Sequence, residues 1–187
     1  MGSSLMALTR RVAGEEQEAR SSRRDGWLRL DDAALLKECR QERYRAGGPG
    51  GQRRNKVETA IRLHHQPSGL TGHAEESRSP QENRTRALRR LRERIALELR
   101  APFDLEAPSL PSELLAQRGA RGSLSVNRRN PAYPIITATV LDALESAGGS
   151  YAKAARAIGL TTSQVLRLLR SDPHVWRTVE QAQRRPG

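Results

Sequence analysis

Prolines at positions 102, 108, 111, 131 and 134 interrupt the middle of this 187-residue chain, so no long helix or strand can cross it. A chain broken there is expected to fold as small units on either side, with residues 101–134 as a Pro-rich linker. Composition agrees: apolar residues make up 36% and aromatics 3%, too few for one large core, so small cores joined by polar segments are expected. Residues 1–26 are charged, Gly/Ser-punctuated and poorly periodic. They read as a disordered basic arm with at most a transient helix at Glu15 to Arg20.

Charge narrows the partners. Lys and Arg total 33 against 21 acidic residues, a net charge of +12. Arg dominates, and its planar fork suits phosphate and base-edge contacts, so a polyanion, nucleic acid first, is the expected partner. No apolar run approaches the roughly 18 residues of a membrane span. The acidic cluster Glu15, Glu16 and Glu18 argues against an organelle transit peptide, leaving a cytoplasmic monomer as the expectation. Cys39 is the only cysteine, so no internal disulfide can form. It reads as a small strand residue. His64, His65 and His73 lie close in sequence and read as strand surface residues or RNA contacts, not as metal ligands.

The periodicities define an α+β chain. Asp31 and Asp32 can cap a short helix through Ala33 to Leu36, and Cys39 to Arg45 reads as a short strand. A second strand is expected near Thr59 to His64, followed by a turn at Pro67-Ser68-Gly69 and a returning strand from Leu70 to Glu75. Ser79 to Arg100 is the clearest helix. Leu88, Leu91, Ile95 and Leu99 form one stripe, Ser79 and Glu82 suit a capping box, and Pro80 suits the first position. Pro111 to Leu115 can nucleate a turn or two. Helical periodicity returns at Ile135 with Val140, Leu141 and Leu144 and stops at Gly148-Gly149. Ser150 then caps a helix burying Ala154, Ala155 and Ile158. After Gly159, Thr161 or Thr162 caps a third helix with Val165, Leu166, Leu168 and Leu169, and Asp172-Pro173 opens a fourth. Small residues at the crossing and Gly in the turn give residues 135–183 a helix-turn-helix spacing.

Between the first two strands lies Gly47-Gly48-Pro49-Gly50-Gly51-Gln52. It lacks the Lys-Ser/Thr of a phosphate-binding P-loop and the third Gly of a dinucleotide site. What remains is a tip almost without side chains, able to bring backbone N–H groups into a confined site. The run Tyr44 to Gln52 resembles the Gly-Gly-Gln segment of bacterial-type class I peptide chain release factors. The likeness continues through Asn55-Lys56, Ala60 to His64, Pro67 to Leu70, Glu76 to Ser79, Gln81, Asn83 and Ala87 to Leu91. It spans about residues 38 to 100, roughly a third of the chain.

The resemblance implies a small Gly-Gly-Gln hydrolase domain over 27–100, a short β-sheet packed on a long helix. It implies hydrolysis of the peptidyl-tRNA ester in the large ribosomal subunit, with Gly50, Gly51 and Gln52 as the catalytic residues and without a cofactor or metal. In such factors the backbone N–H of the residue matching Gln52 stabilises the oxyanion, and its side chain places water. An N–H aimed at that charge in a water-poor site lowers the barrier by roughly 3 to 4 kcal/mol. The expected partners are large-subunit rRNA and the P-site peptidyl-tRNA. The RNA-contacting set is Arg45, Arg53, Arg54, Asn55, Lys56, Arg78, Arg84, Arg86 and Arg89, with Arg156, Arg167 and Arg170 from the helical part. Two positions depart from the family: Arg53-Arg54 follows Gln52 where a small polar residue or His and then Val are usual, and Pro80 stands where Gln is usual. Only 46 residues precede Gly47, too few for a stop-codon-reading module. The expectation is therefore the codon-independent subgroup that rescues stalled ribosomes. Such factors commonly continue into a loose basic tail, whereas residues 135–183 read as folded. The competing reading is a basic helix-turn-helix protein that binds RNA or DNA and carries a vestigial loop.

Overall fold

The computed structural model describes residues 23–45, 59–119 and 122–184. The described residues are α+β and fall into two compact units: Gly26–Ile95, and residues 23–25 together with those from Ala96 to 184. A helix, α1, covers residues 23–29.

In the unit Gly26–Ile95, Trp27 and Leu28 of α1 are buried. Asp31 caps α2 (Asp32–Lys37) by accepting from the Ala34 N–H at 2.7 Å, as its acceptor oxygen equips it to do. Three antiparallel strands follow as a meander: β1 (Cys39–Tyr44), β2 (Ala60–His65) and β3 (Thr71–Ala74). Cys39 pairs with His65 and Tyr44 with Ala60; Ile61 pairs with Ala74 and His64 with Thr71. Along β2, Ile61 and Leu63 point inward while Arg62 and His64 are exposed, the two-residue period of a sheet with one buried face. The β2–β3 turn is made at Gly69, whose φ is 71°.

The long helix, α3 (Pro80–Glu98), carries the expected stripe: Leu88, Leu91 and Ile95 are buried, and so is Leu99 just beyond its end. Its N-terminus differs from the expected capping box. Ser79 Oγ accepts from the Glu82 N–H at 3.3 Å, but the Glu82 carboxylate takes the Ser77 hydroxyl at 2.7 Å. The Ser79 N–H goes to Ser77 Oγ at 3.1 Å, so the bend before the helix supplies the second partner. Sheet and helix meet at Gly72. A Cβ there would collide with the Ala87 carbonyl oxygen and lie 2.8 Å from Leu91 Cβ. Because backbone blocks that space, Gly72→Ala is expected to destabilise the fold by about 3 kcal/mol, the upper end of overpacking costs. Urea unfolding followed by circular dichroism measures this; an unchanged midpoint would contradict the close approach.

The other unit is helical: α4 (Ser112–Ala116), α5 (Tyr133–Ser146), α6 (Tyr151–Ala157), α7 (Thr162–Arg170) and α8 (Pro173–Gln183). Pro134, expected as a breaker in the linker, instead lies in the first turn of α5, where a missing N–H costs nothing. Every residue of α5 from Tyr133 to Leu144 is buried. Gly148 and Gly149 end it at positive φ, and Ser150, Thr161 and Asp172 cap the next three helices. The arm expected over 1–26 needs correction at its end. Residues 23–26 are helical, and Arg24 is 1% exposed. Its guanidinium meets Asp142 at 2.7 Å and donates to the Leu99 carbonyl at 3.0 Å. Asp142 also meets Arg100 at 3.2 Å and accepts from the Ala101 N–H at 3.1 Å. A charged residue read as solvated is thus held inside by a carboxylate far along the chain. The segment expected as a transient helix, Glu15 to Arg20, lies outside the described residues.

Candidate functional site

The glycine-rich segment connects β1 to β2, and the structure defines its two ends. Tyr44 and Ala60 are paired across the sheet. On the incoming side, the Tyr44 hydroxyl donates to the Glu75 carboxylate at 3.2 Å, and the Arg62 guanidinium sits 4.8 Å from the Tyr44 ring centroid. Burial, and after it the Glu75 charge, pushes the Tyr44 phenol above its usual range. On the outgoing side, the Thr59 carbonyl accepts from Asn83 Nδ2 at 2.7 Å. The same nitrogen reaches the Ser77 carbonyl at 2.8 Å, and Asn83 Oδ1 accepts the Ser77 N–H at 3.0 Å. Asn83 is fully buried. One amide therefore ties the end of the segment to α3 and to the bend before it. In the sequence, Asn83 stands out only through the family resemblance. The available signal was a polar amide one turn before Ala87 on the buried side of an amphipathic helix.

Gly50, Gly51, Gln52, Arg53, Arg54, Asn55 and Lys56, all expected in the site, lie outside the described residues. Of the remaining expected RNA contacts in this unit, Arg45 and Arg78 are exposed. Arg86 and Arg89 share the outward face of α3 with acids: Arg86 lies 3.5 Å from Glu82 and Arg89 lies 3.9 Å from Glu93. Arg84 belongs to the other side. It stands one turn before Leu88 on the buried stripe, half-buried, with its Nε unpartnered. The helix arginines are thus not one cluster. Arg90 and Arg94 donate to the His73 and Thr71 carbonyls, each at 2.8 Å, so part of the basic charge holds β3 to α3.

The histidines separate in the same way. His64 and His73 are exposed, as expected of strand surface residues, but His65 is fully buried. Its ring nitrogens are taken by Ser68 Oγ at 2.7 Å and by Glu38 at 2.9 Å, and Trp27 packs edge-on at 5.0 Å. Its place opposite Cys39 in the inward register explains the burial. Cys39 lies in β1 and bonds to the Leu35 carbonyl at 3.2 Å. Burial, reinforced by Glu38, raises its thiol to about 11, far from a nucleophile at neutral pH.

In the helical unit, Arg156, Arg167 and Arg170 are all exposed. Arg170 lies 4.9 Å from the Trp176 ring centroid. No described helix is long and apolar enough to cross a membrane.

The family model of the RF-1 domain matches residues 34–132, more than half of the 187 residues, and the chain belongs to that family. The match takes in β1, the glycine-rich segment, β2, β3 and α3. Among similar proteins are Peptide chain release factor 1 of Chloroherpeton thalassium, 48% identical over 65 residues, and of Chlorobaculum tepidum, 50% identical over 52 residues. The same factor of Lacticaseibacillus casei is 46% identical over 59 residues. These alignments cover 34%, 28% and 32% of this chain and only 18%, 15% and 16% of the relatives. The chain therefore spans less than a fifth of the length of the curated relatives it matches. No solved structure matches it.

Proposed function

We propose that this protein hydrolyses the ester of peptidyl-tRNA on the ribosome, and that it does so without reading a stop codon. What supports this reading is that Gly50-Gly51-Gln52 falls in sequence between Tyr44 and Ala60, which pair across the sheet, and within the region that matches the RF-1 domain. In this reading the Gln52 N–H faces the developing oxyanion and its side chain orients the attacking water, so catalysis is positioning and local electrostatics. Gly50 and Gly51 keep the approach free of side chains. Arg45, Arg53, Arg54, Asn55, Lys56 and Arg78 supply contacts to large-subunit rRNA and tRNA, and Arg84, Arg86 and Arg89 add charge from α3.

The test is peptide release from purified ribosomes carrying labelled peptidyl-tRNA in the P site. Release is expected at similar rates with a sense codon, a stop codon or an empty A site. A strict stop-codon requirement overturns the rescue reading and leaves the hydrolase standing; no release in any state removes both.

A further inference from the structure

The motif that ester hydrolysis leaves unused is α6–Gly159–α7. Gly159 turns the chain at φ 64°, and the Leu160 N–H closes on the Ala155 carbonyl at 2.9 Å. The Arg118 guanidinium fills the space where a Cβ on Gly159 would stand, so any other residue would displace it and would also carry the strain of a positive φ. Thr161 then caps α7 in a reciprocal box with Gln164, which fixes where the helix begins.

The two faces of α7 are sharply different. Val165, Leu168 and Leu169 are buried, while Ser163, Arg167 and Arg170 are exposed, with Leu166 half-exposed between them. Positions 163, 166, 167 and 170 form one stripe at helical spacing. Trp176 stacks on the Arg170 guanidinium and limits its orientation. No acidic residue occurs between Glu145 and Asp172. Asp142 and Asp172 are buried, engaged by Arg24 and Arg100 and, at 2.8 Å, by Arg128. Lys153, Arg156, Arg167, Arg170 and Arg177 remain on the surface. The outward face of α7 is therefore cationic, with a hydroxyl near its start and guanidinium groups along it.

We propose that this face docks in the major groove of double-helical DNA. A helix is about 10–12 Å across, which fits the roughly 12 Å major groove of B-form DNA. The major groove of an A-form RNA helix is deep and narrow and excludes it. From the sequence, Arg167 and Arg170 are expected as RNA contacts; the shape and charge of the exposed face favour a B-form duplex. In that pose Ser163 and Arg167 face base edges near the start of α7, and Arg170, oriented by Trp176, meets the flanking backbone.

This inference does not rest on the release reading and is tested apart from it. Fluorescence anisotropy of the full chain is measured against a mixed-sequence 24-base-pair DNA duplex and against an RNA duplex of the same sequence. DNA is expected to bind at least tenfold more tightly. Arg167→Ala together with Arg170→Ala should weaken DNA binding by ten- to a hundredfold without changing the melting temperature. The charge-matched pair Arg40→Ala and Arg43→Ala, exposed in β1, should leave it within about twofold. Equal or tighter binding to the RNA duplex overturns the proposal, as does a double α7 variant that binds DNA like the unaltered protein.

Discussion

Gly51→Ala is expected to lower the rate of peptide release by about two to three orders of magnitude, the loss associated with removing one oxyanion donor. The argument begins with the residue type. Glycine populates backbone conformations that a Cβ disfavours, and it presents no side chain to a wall of RNA. If the Gln52 N–H has to point at the developing oxyanion, a methyl group beside it displaces the donor by more than such geometry tolerates. Gly50→Ala should act in the same direction. Gln52→Ala keeps its N–H and should lose less. Ribosome binding, followed by co-sedimentation, should remain near that of the unaltered chain, because the basic residues are intact. Single-turnover release at saturating protein separates chemistry from affinity. Normal release by Gly51→Ala would mean that another part of the chain acts on the ester.

Asp142→Ala is the largest expected loss of stability. Asp142 is the carboxylate against Arg24, which is 1% exposed. Removing it leaves a buried guanidinium without its main counter-charge and strips partners from Arg100 and the Ala101 N–H. Breaking such a pair from one side typically costs about 3–5 kcal/mol. For a unit of this size, that is a fall in melting temperature on the order of 15 °C. Arg24→Met should cost clearly less, since it removes the buried charge and leaves Asp142 with Arg100 and Ala101. Thermal unfolding of the two variants side by side gives the comparison. If Asp142→Ala melts within about 2 °C of the unaltered chain, the pair is not closed in solution.

These residues also show what the sequence makes legible. The caps at Asp31, Ser150, Thr161 and Asp172, the meander of three strands and the stripe on α3 follow from local chemistry, and local chemistry is written in neighbouring residues. Arg24 and Asp142 are 118 positions apart, so nothing near either one announces the pair. Pro134 looks like a breaker until the start of α5 is known, because proline suits a first turn as well as a linker. His65 reads as one of a surface group until the register places it inward opposite Cys39. Gly72 is silent for the same reason: only the approach of α3 gives its missing side chain a meaning. As for the site, its motif was visible as residues, while the fastening at Asn83 depends on three partners, at Thr59 and Ser77, that the fold assembles.

That fastening sets a length scale. With Tyr44 and Ala60 held across the sheet, the midpoint of the segment between them is eight residues from either end and can lie no farther than about 29 Å from the strand ends, at roughly 3.3–3.6 Å per residue. In the release reading proposed above, the ester has to lie inside that radius. The sheet and α3 thus act as a mooring: in that reading, the number of residues between Tyr44 and Ala60 limits which bonds are within range of the point where the folded unit is held, and an anchor displaced beyond that limit puts the reaction out of reach.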